Sequence, residues 1–125
     1  MKNDELTHKV IGFAIEIHKK LGPGLYENVY KDCLIYKMEK AGLKVEKEKT
    51  ISINFDGLIL ERGFRVDILV EEKIVLELKS VKTLNDIHLT QMITYLKLGK
   101  FPLGLILNFN VPMMKEGIKR VINSY

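Results

Sequence analysis

The sequence lacks several features that define other classes of protein. It has no tryptophan and only one cysteine, Cys33, so it can form neither an internal disulfide nor a cysteine-based metal cluster. A reducing compartment is therefore expected, and we predict a cytoplasmic location. No apolar run approaches the roughly 18 residues that a membrane span requires, and the polar residues 1–5 do not resemble a signal peptide. We therefore expect no membrane association.

What the chain does contain is typical of an ordinary globular protein. Its 125 residues are 46% hydrophobic and 29% charged, which is enough to build a hydrophobic core without disulfides. The formal net charge of +4 weakly favours a polyanionic partner. No linker divides the chain, so we predict a single domain spanning residues 1–125.

Hydrophobic periodicity predicts the order of the elements. Apolar residues at three- and four-residue spacing predict helices over residues 4–21, 25–41 and 84–98. Alternating or mostly apolar segments predict strands over residues 51–55, 58–60, 64–70, 74–79 and 103–109, with the charged residues 44–49 as an edge or a connection. A last helix is predicted over residues 113–122. The resulting order, α-α-β-β-β-β-α-β-α, indicates an α/β fold with a mixed sheet flanked by helices.

One predicted hairpin brings two carboxylates together. A three-residue turn at 71–73 sets Val70 opposite Ile74, and the same register sets Asp67 opposite Glu77. Opposed residues of an antiparallel pair face the same side of the sheet. A two-residue turn would instead place the carboxylates on opposite faces, so the register is a testable assumption.

The two faces of this hairpin differ in polarity. One predicted face is apolar throughout: Val66, Ile68, Val70, Ile74, Leu76 and Leu78. The other is apolar only near the turn and carries ionisable groups farther away: Arg65, Asp67, Leu69, Val75, Glu77 and Lys79. Opposed acids repel each other unless a cation lies between them, and oxygen ligands suit Mg²⁺ or Mn²⁺. A surface ion-pair cluster without a ligand is the alternative interpretation.

Three motifs resemble those of known nucleases. Asp67, followed after nine residues by Glu77-Leu78-Lys79, resembles the PD-(D/E)xK signature of the restriction-endonuclease-like nuclease superfamily, although Val66 stands where that signature has proline. Residues 24–30 read G-x-x-E-x-x-Y and resemble the signature of the small GxxExxY protein family. Residues 91–95 resemble the Q-x-x-x-Y motif of helicase-associated and lambda-type exonucleases. Together the resemblance extends from residue 11 to about residue 122.

The resemblance implies a metal site and a catalytic lysine. Asp67 and Glu77 would bind Mg²⁺ or Mn²⁺, with the backbone carbonyl of Leu78 and the carboxylate of Glu27 as further ligands. Asp67, Glu77 and Lys79 would form the catalytic set. Glu27 also has a simpler interpretation, as an acid that favours the dipole at the start of a helix.

The resemblance also implies contacts with nucleic acid. Gln91 and Tyr95, one turn apart on a helix, would position the nucleic acid or the lysine. Tyr30 and Arg65 are further candidates for binding or positioning. Packing is the alternative for the two tyrosines, and Arg65 could either contact phosphate or neutralise the acids.

We therefore expect a Mg²⁺- or Mn²⁺-dependent nuclease that hydrolyses phosphodiester bonds, with DNA as the expected substrate. The alternative is a catalytically silent module that binds nucleic acid or a protein partner on the same fold. The sequence leaves open whether cleavage is endo- or exonucleolytic and whether the protein forms a homodimer.

Overall fold

Two helices open the chain and pack on one face of a sheet. In the computed structural model, which describes residues 1–124, α1 spans Asn3–Leu21 and α2 spans Glu27–Lys40. The inward side of α1 is apolar at three- and four-residue spacing, namely Leu6, Val10, Ala14 and Ile17. Gly22 ends α1 with φ at 76°, a left-handed conformation that glycine adopts without strain. None of the helices formed by residues 1–124 is long and apolar enough to cross a membrane.

Within the described residues, five strands form the sheet, in the order β1-β2-β3-β4-β5. They are β1 (Val45–Phe55), β2 (Leu58–Val70), β3 (Ile74–Lys79), β4 (Leu103–Asn108) and β5 (Ile118–Ile122). Only β3 and β4 are parallel, and the helix α3 (Asp86–Gly99) connects them as a crossover. A hydrophobic core lies between the sheet and α1 with α2, and a smaller core lies between the sheet and α3. The predicted α/β class with a mixed sheet and flanking helices is confirmed.

The first half of the sheet contains fewer strands than predicted. Residues 58–60 and 64–70 belong to one continuous strand, β2, and the charged residues 44–49 are mostly part of the edge strand β1. The break expected near residues 61–63 is instead a shift of register between β1 and β2, located between Ile51 and Ile53. The side chain of Ile53 lies against Gly63 at this shift, where a Cβ atom would be only 2.3 Å from Ile53 Cγ1.

The predicted last helix, residues 113–122, is wrong. Met114–Gly117 form a short 3₁₀ turn, and Ile118–Ile122 form β5, which runs antiparallel to β4. Gly117 packs so closely on Asn108 that an added Cβ would lie 2.0 Å from the Asn108 carbonyl oxygen. The apolar spacing of this segment fits a helix as well as a strand, and pairing with β4 decides in favour of the strand.

Candidate metal centre and active site

The turn after β2 has the predicted three-residue register. Val70 lies opposite Ile74, and pairing of β2 with β3 continues as far as Ile68 opposite Leu76. The next position along β2 is Asp67, where main-chain pairing with β3 ends. Asp67 therefore stands at the point where the two strands begin to separate.

Side chains take over the contacts where the strands separate. The Asp67 main-chain N–H donates to Glu77 Oε1 at 3.2 Å. The Leu78 main-chain N–H donates to Asp67 Oδ2 at 2.9 Å. Each carboxylate is thus held by the backbone of the opposite strand, which places the two acids next to each other as the register predicted.

The prediction of which side chains share a face is wrong for Val66 and Arg65. Val66 packs in the core under α3, with Leu69 on its own strand, and not with the apolar face toward α1 and α2. Phe64 also packs on the α3 side. Arg65, which lies between Phe64 and Val66, is exposed and therefore points away from α3. Arg65 is paired with Thr50 of β1. The β1–β2 pairing is interrupted opposite Asp67, where Glu48 adopts φ 51°, and this irregularity changes the alternation of β2.

Glu77 is the most unusual ionisable group of the site. Its residue is only 8% exposed, although glutamates are almost never buried without a partner. Burial first, and the negative charge of Asp67 second, raise the pKa of the Glu77 carboxyl to about 8, although the Asp67 N–H and the positive charge of Lys79 act to lower it. The side chain of Glu77 alternates with Leu76 and Leu78, so it points toward α3 with Val75.

Two adjacent carboxylates of this kind suit a hard divalent cation. Oxygen donors are the ligands that Mg²⁺ and Mn²⁺ prefer. Burial and the charge of Asp67 disfavour the ionised form of Glu77, and a divalent cation would compensate for both. The donor chemistry of Asp67 and Glu77 therefore fits the cation that the resemblance implied.

Lys79 lies at the end of β3, two residues after Glu77 and on the same side of the strand. The Phe109 N–H donates to the Lys79 carbonyl at 3.0 Å. The buried Asn108 side chain then fixes the chain beyond Lys79, because it accepts from Val81 N–H at 3.1 Å and donates to the Val81 carbonyl at 3.0 Å. Lys79 and Val81 are thereby tied to the last residue of β4 and to the residue that follows it, which holds Lys79 in place.

A second lysine reaches the acids from α2. Lys31 is buried, and its Nζ lies 3.5 Å from Asp67 Oδ1 and 3.8 Å from Glu48 Oε1. The sequence analysis did not identify this residue. Its place one helical turn after Glu27 is the only sequence signal that could have suggested it.

Glu27 does not complete a metal site in this structure. Within residues 1–124, no three acidic, histidine or cysteine side chains are close enough together to hold a metal ion. Glu27 is the first residue of α2 and lines an open groove of about 560 Å³, which is also lined by Ser80, directly after Lys79. The Ser80 hydroxyl donates to the Leu25 carbonyl at 2.9 Å and so links the start of α2 to the end of β3.

Tyr30 does not contact solvent and cannot bind nucleic acid directly, so that part of its prediction is wrong. Its side chain is completely buried and stacks on Phe109 with ring centroids 4.3 Å apart. Its hydroxyl donates to the Gly22 carbonyl at 2.6 Å and accepts from the Leu25 N–H at 3.1 Å. Tyr30 therefore fixes the loop between α1 and α2, which leads into the groove beside Glu27.

Tyr95 packs on the α3 side of the sheet, the side toward which Glu77 points. It stacks on Phe64 with centroids 4.6 Å apart. Burial raises the pKa of the Tyr95 hydroxyl, and the charges of Glu77 and Asp67 raise it further, which places the ring within their electrostatic reach. Gln91, one turn earlier on α3, is exposed. Phe64, which supports Tyr95, was not identified from the sequence.

The chain has a restriction-endonuclease-like fold. A mixed sheet lies between two layers of helices, and the paired acids and the lysine lie where two central strands separate. A family model described as the PD-(D/E)XK nuclease superfamily matches residues 4–121, and the chain belongs to this superfamily. No curated protein and no solved structure matches the chain significantly. Membership of the smaller GxxExxY family stays a prediction.

Proposed function

We propose that this protein is a divalent-metal-dependent nuclease that hydrolyses phosphodiester bonds, with DNA as its substrate and the cytoplasm as its location. Membership of the PD-(D/E)XK superfamily supports the reaction class. The observation that carries the proposal is the buried Glu77 carboxyl beside Asp67, at the point where β2 and β3 separate. Such a pair of acids is costly for a protein unless it binds a cation.

Each member of the site has a role in this proposal. Asp67 and Glu77 bind Mg²⁺ or Mn²⁺, with the Leu78 carbonyl as a further ligand. The bound ion would lower the pKa of a coordinated water and neutralise charge on the phosphate. Lys79, on the side of β3 that bears Glu77, orients or deprotonates the attacking water, or stabilises the negative charge that develops on the phosphate.

The groove beside Glu27 is the proposed binding site for the nucleic acid. It is open, it borders the end of β3, and the start of α2 lines it. We assign Glu27 to the edge of this groove, where it would join the metal site only if α2 shifts toward β3. Gln91 and Tyr95 would position the substrate from α3, while Arg65 would contact phosphate from the opposite side of β2.

A cleavage assay tests the proposal. Pure protein is incubated with single-stranded DNA, double-stranded DNA or RNA, in Mg²⁺, in Mn²⁺ or in EDTA, and the products are resolved by length. We expect cleavage that requires the metal and is lost in Glu77→Ala. Substrate binding without cleavage under every condition would instead identify a silent binding module.

A further inference from the structure

Lys31 places a fixed positive charge inside the acidic site. Its side chain is only 7% exposed, and its Nζ lies between two carboxylates, 3.5 Å from Asp67 Oδ1 and 3.8 Å from Glu48 Oε1. A lysine this deeply buried is uncommon and is normally held by charged partners. Glu48 supplies one of them through its left-handed backbone conformation opposite Asp67.

The two oxygens of Asp67 face different neighbours. Oδ2 accepts from the Leu78 N–H of β3, the strand that carries Glu77. Oδ1 faces Lys31 on α2, on the opposite side of the sheet from α3. A cation shared by Asp67 and Glu77 would therefore approach from the β3 side, while the α2 side of Asp67 already holds an ammonium group.

We propose that Lys31 limits this active site to one divalent cation, because its ammonium occupies the position between Asp67 and Glu48 where a second cation would otherwise bind. Two carboxylate oxygens, Asp67 Oδ1 and Glu48 Oε1, already converge on this position. An ammonium and a divalent ion repel each other strongly at such short distances. This inference rests on the proposed function, since it assumes that Asp67 and Glu77 bind the first ion.

The consequence concerns the charge supplied to the substrate. With one divalent ion, a second positive charge near the phosphate has to come from the protein. Lys79, which follows Glu77 on the same side of β3, is the side chain placed to supply it. Lys31 then acts as a positioning residue that holds Asp67, and not as a group that contacts the substrate.

Metal stoichiometry tests this inference without any measurement of activity. Mn²⁺ is titrated into the wild type and into Lys31→Met by calorimetry, and bound Mn²⁺ is counted independently by electron paramagnetic resonance. We expect one bound ion in the wild type and two in Lys31→Met. The matched control is Lys37→Met on the same helix, which removes the 2.8 Å ion pair with Glu16 and should still bind one ion.

Further variants separate the charge of Lys31 from its packing. Lys31→Arg keeps the charge and should bind one ion, while Lys31→Gln should bind two even if Lys31→Met folds poorly. Adding Glu48→Gln to either neutral variant should return the stoichiometry to one. Circular dichroism verifies that each variant is folded.

The results distinguish failure of this inference from failure of the proposed function. Two ions in the wild type, or one ion in both neutral variants, would overturn the role of Lys31 while leaving the metal site intact. A wild type that binds no Mn²⁺ would overturn the metal site itself, and the inference would fall with it.

Discussion

Glu77 shows at the level of one residue how stability conflicts with the proposed function. A protein gains nothing in stability from a carboxylate that is 8% exposed and adjacent to a second acid. The main-chain N–H of Asp67 offsets part of this cost, since it donates to Glu77 Oε1. The remainder is a cost that a bound cation would remove.

The raised pKa of Glu77 predicts how stability depends on pH without metal. Between about pH 4.5 and about pH 8 the folded protein retains a proton that the unfolded chain has lost. The free energy of unfolding should therefore fall as pH rises through this window, by up to about 1.4 kcal/mol per pH unit from this group. Urea unfolding in EDTA measures the slope. Glu77→Gln should lack this contribution, and equal slopes in both proteins would contradict the assignment.

Tyr30 predicts a structural effect and not a loss of substrate contact. Tyr30→Phe removes the hydroxyl that bridges Gly22 and Leu25, and leaves their backbone groups without that partner. We expect the free energy of unfolding to fall by about 1–3 kcal/mol. The control is Tyr36→Phe on the same helix, which is 61% exposed and should change stability by less than about 0.5 kcal/mol. Equal effects in urea unfolding would argue against the bridging role.

Individual residues differed in how far the sequence could predict them. Asp67 and Glu77 were predictable because a three-residue turn fixes which side chains are opposed. Lys31 was not, since its burial depends on acids from β1 and β2 that lie 17 and 36 positions further along the chain. Tyr30 was identified from its motif, but its structural role was not predictable, because only the folded chain shows that Phe109 covers it.

Among the elements, the strands show which features hydrophobic periodicity can predict and which it cannot. The strands β3 and β4 were predictable, since burial on both faces leaves a mostly apolar run, interrupted in β3 by Glu77 and Lys79 and in β4 by Asn108. The face of Val66 was not, because it depends on the irregular pairing at Glu48. The final segment was misassigned because spacing within residues 113–122 cannot reveal that β4 offers an open edge.

A substitution of Gly117 tests how the 3₁₀ turn before β5 packs on β4. Gly117→Ala would place a Cβ against the backbone oxygen of Asn108, which cannot move without disturbing β4. We expect a loss of more than about 1 kcal/mol in the free energy of unfolding. Gly12→Ala in α1 is the control, since nothing lies within 4 Å of its Cβ, and it should stabilise the protein by roughly 0.5–1 kcal/mol. A neutral Gly117→Ala would contradict the packing of the 3₁₀ turn on β4.

At the scale of the whole molecule, binding of a metal ion should increase the stability of the folded protein. A ligand that binds only the folded state stabilises it by about 2.7 kcal/mol at 100 times its Kd. Mn²⁺ should therefore raise the melting temperature of the wild type, and EDTA should reverse the change. Asp67→Asn should show little or no such rise. A rise of equal size in the variant would place the bound ion elsewhere on the surface.

Lys79 offers the most direct test of the central claim, because it belongs to the proposed reaction but not to the metal ligands. Lys79→Met is compared with Lys82→Met, which changes an exposed lysine three residues further along the chain. The rate of DNA cleavage in Mn²⁺ is measured for both, together with Mn²⁺ binding. We predict that Lys79→Met binds the ion as the wild type does but cleaves at least about 100-fold more slowly, while Lys82→Met is unaffected. Cleavage by Lys79→Met at the wild-type rate would contradict the proposed active site.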